Sequence, residues 1–282
     1  MEFGTVPASN YSLSELVPLL NRGFEGYVIP IHFTMDMFAN MLRKDGIDLA
    51  ESRVLLADDQ ACGVALIAPR RSIHTSRVAA MGIARETRGK GAGSWLMKRL
   101  VEDARKRGDR EIVLEVIEHN EPAVRLYQNY GFVSMRRLVG FTRSASDRGK
   151  PDKENGEKPL HNVDLQEMGR LISRHGLPDL PWQLSGESIS QANPQLHAFR
   201  EGPAYVVISN PEAEHVVIWS LLVEPEARGH GLGTKLLQRV TALHAGKAWH
   251  VPAILPEELG PVFERAGFEK ENLTQWQMKL SL

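Results

Sequence analysis

Two short stretches carry residue types and spacing suited to holding an anion. One is Arg88-Gly89-Lys90-Gly91-Ala92-Gly93-Ser94, the other Arg228-Gly229-His230-Gly231-Leu232-Gly233-Thr234. In each, glycines alternate with other residues and a helical pattern begins at once. Leu96, Met97, Leu100, Val101 and Ala104 share a face after the first loop; Leu236, Leu237, Val240 and Leu243 do so after the second. An apolar run precedes each loop, Val78–Ile83 and Val216–Val223. The order strand, glycine loop, helix N-terminus aims free backbone N–H groups and the positive end of a helix dipole at one point. Such a point binds phosphate, and glycine lets the backbone come close to it.

The loops start 140 residues apart in a chain of 282. That separation indicates a duplicated domain, because solenoid repeats have far shorter periods. Neither loop is a P-loop, which needs Gly-Lys-Ser/Thr after four intervening residues; here Ser94 follows Gly93 and Thr234 follows Gly233. The dinucleotide fingerprint needs a third glycine two residues further on, and it also fails. The pattern common to both is Arg-x-x-Gly-x-Gly at a helix N-terminus, followed about 40 residues later by Gly-Phe (Gly131-Phe132 and Gly267-Phe268).

The elements that would position the loops can be read in order. Ser12 or Ser14 caps a first helix, and Thr34 a second that carries Met37, Phe38, Met41 and Leu42 on one face. Strands follow at Arg53–Ala57 and Ala61–Ala68 around an Asp58-Asp59-Gln60 turn. Gly82, inside the strand before the first loop, marks a bulge or a close backbone approach by a ligand. Glu111–Ile117 is a strand, Asn120 caps a short helix with Pro122 in its first turn, and a last strand covers 136–142. The second half repeats this plan after a helix at 165–174 and an irregular stretch at 176–194. Residues 144–159 are charged and rich in Gly and Pro, and are expected to be a flexible linker between domains 1–143 and 160–282. Strands, helix, strand, helix, strand in each half predict an α/β or α+β sheet flanked by helices.

Composition narrows the function classes. Net charge is −1, so broad attraction to nucleic acid or an anionic membrane is not expected. The single cysteine, Cys62, allows no intrachain disulfide and fits a reducing, cytoplasmic setting. No secretory leader or bilayer-length apolar run is visible, and no His/Cys/Asp/Glu set has metal-ligand spacing.

With these motifs in view, both halves resemble the GCN5-related N-acetyltransferase (GNAT) family. The first half also matches the family's downstream element Asn-x-x-Ala-x-x-Leu-Tyr-x-x-x-Gly-Phe at Asn120, Ala123, Leu126, Tyr127, Gly131 and Phe132. The resemblance implies two tandem acyl-CoA N-acyltransferase domains, each a mixed, mostly antiparallel, splayed sheet flanked by helices. It implies acetyl-CoA as cofactor, with no metal, and an acetyltransferase that moves the acetyl group directly, in a ternary complex, to a primary amine. The acceptor is a small molecule or a peptide, and the enzyme is a monomer or homodimer. The implied cofactor contacts are Met81, Gly82, Ile83, Arg88, Gly89, Lys90, Gly91, Ala92, Gly93, Ser94, Asn120, Ala123 and Tyr127. In the second half they are Val223, Arg228, Gly229, His230, Gly231, Leu232, Gly233 and Thr234.

By the same resemblance, a backbone N–H near Ile83 polarises the thioester carbonyl and Tyr127 is the general acid; the other reading of Tyr127, an aromatic packed on the sheet, is the less favoured given its place four residues before Gly-Phe. The base is open. Glu115 and His119 are the first candidates, with Glu118, Glu25, Tyr27, His32 or a water chain as others. Aligning the two Gly-Phe pairs puts Phe263 at the Tyr127 position and Pro256 at the Asn120 position. Phe263 cannot donate a proton. The second half is therefore a CoA-binding, non-catalytic domain or a degenerate structural one. The competing readings are a tandem enzyme active in both halves, as in mycothiol-synthase-like proteins, and a non-catalytic acyl-CoA sensor.

Overall fold

A computed structural model describes residues 1–145, 160–192 and 196–282. The chain forms two compact units. Unit 1 holds Met1–Arg136 and Trp276–Leu282; unit 2 holds Arg137–Gln275. In chain order the elements are β1 (Phe3–Pro7), α1 (Leu13–Gly23), α2 (Met35–Asp45), β2 (Arg53–Ala57), β3 (Gln60–Arg70), β4 (Thr75–Ile83), α3 (Ala92–Arg107), β5 (Glu111–Ile117), α4 (Glu121–Asn129) and β6 (Val133–Arg143). They continue with β7 (His161–Val163), α5 (Leu165–His175), α6 (Gly186–Ser190), β8 (His197–Glu201), β9 (Ala204–Ile208), β10 (His215–Val223), α7 (Leu232–Leu243), β11 (Ala248–Pro256), α8 (Gly260–Arg265) and β12 (Glu269–Ser281).

Local chemistry sets the helix starts. Ser12 and Glu15 form a capping box on α1, with the Ser12 N–H donating to Glu15 Oε2 at 2.8 Å. The Met37 N–H donates to Thr34 Oγ1 at 3.2 Å at the head of α2. Phe38 is the buried anchor of α2, whereas Met37 faces outward, 51% exposed. Asp58 and Asp59 both take left-handed φ (47° and 62°) in the tight β2–β3 turn, a conformation Asp tolerates better than most residues.

In unit 1 the sheet order is β1-β2-β3-β4-β5-β12, the last contributed by Trp276–Ser281. Strands β1 to β4 are antiparallel neighbours, and β4 pairs in parallel with β5. That parallel pairing covers Thr75–Arg77 against Glu111–Val113 and then stops, although β4 runs on to Ile83 and β5 to Ile117. The strands part beyond Arg77. Unit 2 repeats this: β10 pairs in parallel with β11 only over His215–Val217, while β10 runs to Val223. Its order is β6-β11-β10-β9-β8-β7. The splay implied by the family resemblance is thus present in both units.

Both units also carry a bulge just beyond the fork. The β3–β4 register shifts between Ile67↔Val78 and Leu66↔Ala80, leaving Ala79 as the extra residue; the β9–β10 register shifts likewise, leaving Trp219. The bulge therefore falls at Ala79, not at Gly82. Gly82 instead admits the end of α1: a Cβ there would lie 3.1 Å from Gly23 C and from Phe24 Cε2.

The unit boundaries differ from a division at 143 and 160. Within β6, Val139 and Phe141 are buried in the unit 2 core with Leu236, Leu237 and Val240 of α7. Within β12, Met278 and Leu280 are buried in the unit 1 core with Leu96, Met97 and Leu100 of α3. Residues 146–159 of the expected linker lie outside the described residues. In the stretch read as irregular, Ser185 Oγ accepts from the Ser188 N–H and caps α6. Among the described residues no helix is long and apolar enough to cross a membrane.

Candidate active site

The loop before α3 turns on Gly89 and Gly91, at φ 75° and 85°. Nothing lies within 4 Å of the place a Cβ would take at either. The first amides of α3 have no acceptor within the helix. This open cradle fits a pyrophosphate. Gly93 serves packing: its Cβ position meets Ile83 Cδ1 and Leu126 Cδ2, each at 3.4 Å. The Tyr130 hydroxyl donates to Ser94 O at 2.5 Å and ties α4 to the start of α3. The side chains of Lys90 and Arg88 are exposed.

Arg88 does more than edge the loop. Its Nε donates to Ile83 O at 2.8 Å and its Nη2 to Gly23 O at 3.0 Å, joining the end of β4 to the end of α1. Arg228 repeats this in unit 2, donating to Val223 O at 3.0 Å and to His175 O. Both arginines, expected from the family resemblance as cofactor contacts, hold through their guanidinium groups the backbone that frames the cleft. The repeat of an Arg five residues past each strand was the available signal.

Strand alternation places the amides. The Ala84 N–H donates to Cys62 O at 2.7 Å, toward β3. Neighbouring residues of a strand direct their N–H groups to opposite sides, so the Ile83 N–H faces the gap beside β4. In unit 2 the Glu224 N–H donates to Pro203 O, which turns the Val223 N–H the same way.

Three polar side chains from distant positions meet in unit 1. Tyr27 lies between α1 and α2, in a segment held by Asn21, which bonds Phe33 N at 2.8 Å and Phe33 O at 3.0 Å. Phe24 packs edge-on against both Tyr27 and Phe33. Burial pushes the Tyr27 phenol's pKa up, and Asn120 beside it opposes the shift. Tyr127 is buried on α4, 8% exposed, and burial, reinforced by Tyr27 nearby, holds its phenol well above the ordinary tyrosine value. Asn120 also caps α4 through its contact with the Ala123 N–H.

The base candidates separate. Tyr27 joins the cluster; Glu25, His32 and His119 are exposed to solvent. Glu115 Oε2 accepts from Arg77 Nε at 2.7 Å, and both side chains are buried. Arg77 also faces Asp45 at 3.4 Å. One oxygen of the Glu115 carboxylate is thus held in an ion pair at the fork of β4 and β5, while Oε1 is buried without a hydrogen-bond partner.

Unit 2 has the same frame with other side chains. The Phe268 N–H donates to Phe263 O as the Phe132 N–H does to Tyr127 O, both at 3.1 Å. Val262 meets the Gly233 Cβ position as Leu126 meets that of Gly93, each at 3.4 Å. Phe263 therefore stands where Tyr127 does, and it stacks on Phe141. Gly229 and Gly231 are left-handed (φ 82° and 72°) with open space over them. A cavity of about 590 Å³ runs from this loop along Trp219–Val223 to Leu184 and Leu255. His230 is exposed, and Leu232, Gly233 and Thr234 line the cavity.

Sequence and structure comparisons agree with this geometry. Residues 17–132 match the model of the Acetyltransferase (GNAT) family, and residues 198–270 that of the Acetyltransferase (GNAT) domain. A protein named N-alpha-acetyltransferase 30, from Schizosaccharomyces pombe, is 29% identical over 101 residues, which take in 34% of this chain and 66% of that protein. The GCN5-related N-acetyltransferase of Sphaerobacter thermophilus shares the fold at TM-score 0.65 and 16% identity, over 99% of this chain and 95% of its own. A tandem GNAT protein from the clavulanic acid biosynthesis pathway does so at TM-score 0.65 and 16% identity, over 99% and 98%. The chain is a tandem member of the GNAT acetyltransferase family, an acyltransferase with two copies of the family's domain.

Proposed function

We propose that unit 1 is the catalytic unit and acetylates a peptide α-amine. The observation that carries this is the buried Tyr127 phenol on α4, the helix that Asn120 caps, whose equivalents in unit 2 are apolar at Phe263 and Pro256. Bound acetyl-CoA supplies an activated thioester, and the amides of Gly89 to Ser94 fit its pyrophosphate. The Ile83 N–H, facing the gap, is placed to stabilise negative charge on a carbonyl oxygen. Tyr127 holds its proton throughout the physiological range and offers it as a hydrogen bond to a leaving sulfur. A thiol has a pKa near 8.5, below that of this phenol, so complete transfer is uphill unless the phenolate is met. Tyr27 acts in the opposite sense, raising that pKa, so Tyr127 serves as a hydrogen-bond donor to the leaving thiolate.

The acceptor class follows from the base. We read the site as lacking a dedicated base: Glu115 Oε2 is paired with Arg77, Glu25, His32 and His119 are exposed, and Glu118 is half-buried. An α-amine, with a pKa of about 8, is already partly neutral near pH 7.5; a lysine amine, near 10.4, is neutral to roughly one part in a thousand. A site without a dedicated base suits the former, and the similarity to a protein named as an N-alpha-acetyltransferase supports it.

Thiol release should be measured with a free-N-terminus peptide panel and with matched blocked peptides whose only amine is lysine. The free N-termini should turn over at least about tenfold faster; preference for lysine would overturn the acceptor. Tyr127→Phe should lower turnover by about 10²-fold or more while acetyl-CoA binding is kept. Unchanged turnover would overturn the role of Tyr127.

A further inference from the structure

We infer that the cleft of unit 2 binds an acyl-CoA whose acyl chain is apolar and longer than acetyl. The inference rests on the reading of Gly229–Thr234 as a CoA pyrophosphate loop, and adds what lies at the far end of the cleft.

The side chains lining that end are apolar but for Ser220, whereas its counterpart in unit 1 is charged; the His250–Glu271 pair at the fork is not part of the lining. At the fork of unit 1, Arg77 pairs with Val113, and the Arg77–Glu115 ion pair spans the two strands. At the fork of unit 2, Val217 pairs with His250. Counting onward along β11 as from Val113 to Glu115 leads from His250 to Pro252, so Val217 and Pro252 replace the ion pair. The extra residue in the bulge is Trp219 in place of Ala79. Phe263 replaces the buried phenol. A second, small void of about 10 Å³ adjoins the main cavity here, between Ile218, Val251, Pro252 and Phe263. No acidic side chain lines either space.

The backbone at the mouth also differs between the units. In unit 1, Gly82 lets the end of α1 approach so closely that a Cβ on Gly23 would lie 2.8 Å from Gly82 C. The residue at that place in β10 is Leu222, which is buried, and α5 there ends in His175. The Leu222 side chain stands between the strand and α5, buried with Met168 and Ile172. The cavity of about 590 Å³ is walled on the α5 side by Ile172, Leu177, Leu180 and Leu184. This volume falls within the ordinary range for ligand pockets. A carboxylate or hydroxyl on the acyl chain would find few partners at the inner end. An alkyl chain would gain about fourfold in affinity for each methylene it buries. Binding makes and breaks no bond, and Phe263 has no proton to give.

The test uses the full chain. Calorimetric titrations with CoA, acetyl-CoA and octanoyl-CoA are followed in parallel by tryptophan fluorescence, with Trp219→Phe identifying the change that belongs to unit 2. Octanoyl-CoA should bind the Trp219-reporting site about 100-fold or more tighter than acetyl-CoA. Leu180→Gln, at a half-buried wall position, should cut that preference while leaving the affinity for CoA itself within about twofold. Equal affinity for all three ligands at that site overturns the acyl-chain inference and leaves the loop reading standing. If no ligand moves the Trp219 signal, and the number of sites is the same after Gly231→Val, the loop reading for unit 2 falls with it.

Discussion

Tyr127 is where burial and chemistry pull on one atom. The phenol is sealed on α4, and its raised pKa is a statement about stability as well as reactivity. An unfolded tyrosine titrates near 10. Below that pH both states keep the proton and the group adds no pH dependence. As pH rises through 10 toward the folded value, the unfolded chain releases a proton that the native chain keeps, so stability falls in that window. Urea midpoints from pH 8 to 10.5 should decline more steeply in the parent than in Tyr127→Phe; parallel slopes would show that the phenol is not sealed. Tyr27 was one of several bases open in the sequence. Its selection depends on an Asn120 contact 93 residues away, which no local pattern carries. Glu115 was equally plausible from its strand position, and its ion pair with Arg77 on the neighbouring strand, invisible in the sequence, weighs against it.

The elements were legible where a few neighbouring residues decide them. The Ser12–Glu15 box, the Thr34 and Asn120 caps, and the glycines that turn each loop all act within one helical turn. Strand β1 escaped because Phe3–Pro7 is short and takes its identity from pairing with Arg53–Ala57. Helix α6 escaped because glycines allow it: a Cβ on Gly186 would collide with the Gly169 backbone of α5. The same kind of close approach sets the unit 1 cleft. Gly23→Ala would place a methyl 2.8 Å from Gly82 C, a backbone atom with little freedom to move. The variant should lose about 1–3 kcal/mol of stability. Its KM for acetyl-CoA should also rise, because Gly23 O is an anchor of Arg88. Gly4→Ala is the control: its Cβ meets only Leu56 Cβ at 4.0 Å, and it should be neutral within about 0.5 kcal/mol. Equal effects of the two substitutions would remove the close approach as the cause.

At the scale of the molecule, the duplication is plain in the sequence but its division into units is not. A boundary drawn by composition falls where the chain is polar, whereas a unit ends where its core ends. The last residues of the chain, Trp276–Leu282, belong to unit 1, and Arg137–Arg143 to unit 2. Fragments cut at 143 and 160 would therefore each lack a strand: the first would strip Met278 and Leu280 from beside α3, the second Val139 and Phe141 from beside α7. Removing a buried side chain of this size costs about 2–5 kcal/mol, and a whole strand also strands its neighbour's hydrogen bonds. Stability margins of about 5–15 kcal/mol do not absorb that easily. Truncation after Gln275 isolates the effect, since every residue of unit 2 remains. The truncated chain should lose acetyl transfer and show an early unfolding transition, while the Trp219 fluorescence response to acyl-CoA survives. Full activity and an unchanged melting profile would mean that Trp276–Leu282 is dispensable and that unit 1 closes its sheet at β5. Loss of the Trp219 response together with activity would mean that the units fold as one cooperative block, and calorimetry would then show a single transition for the intact chain.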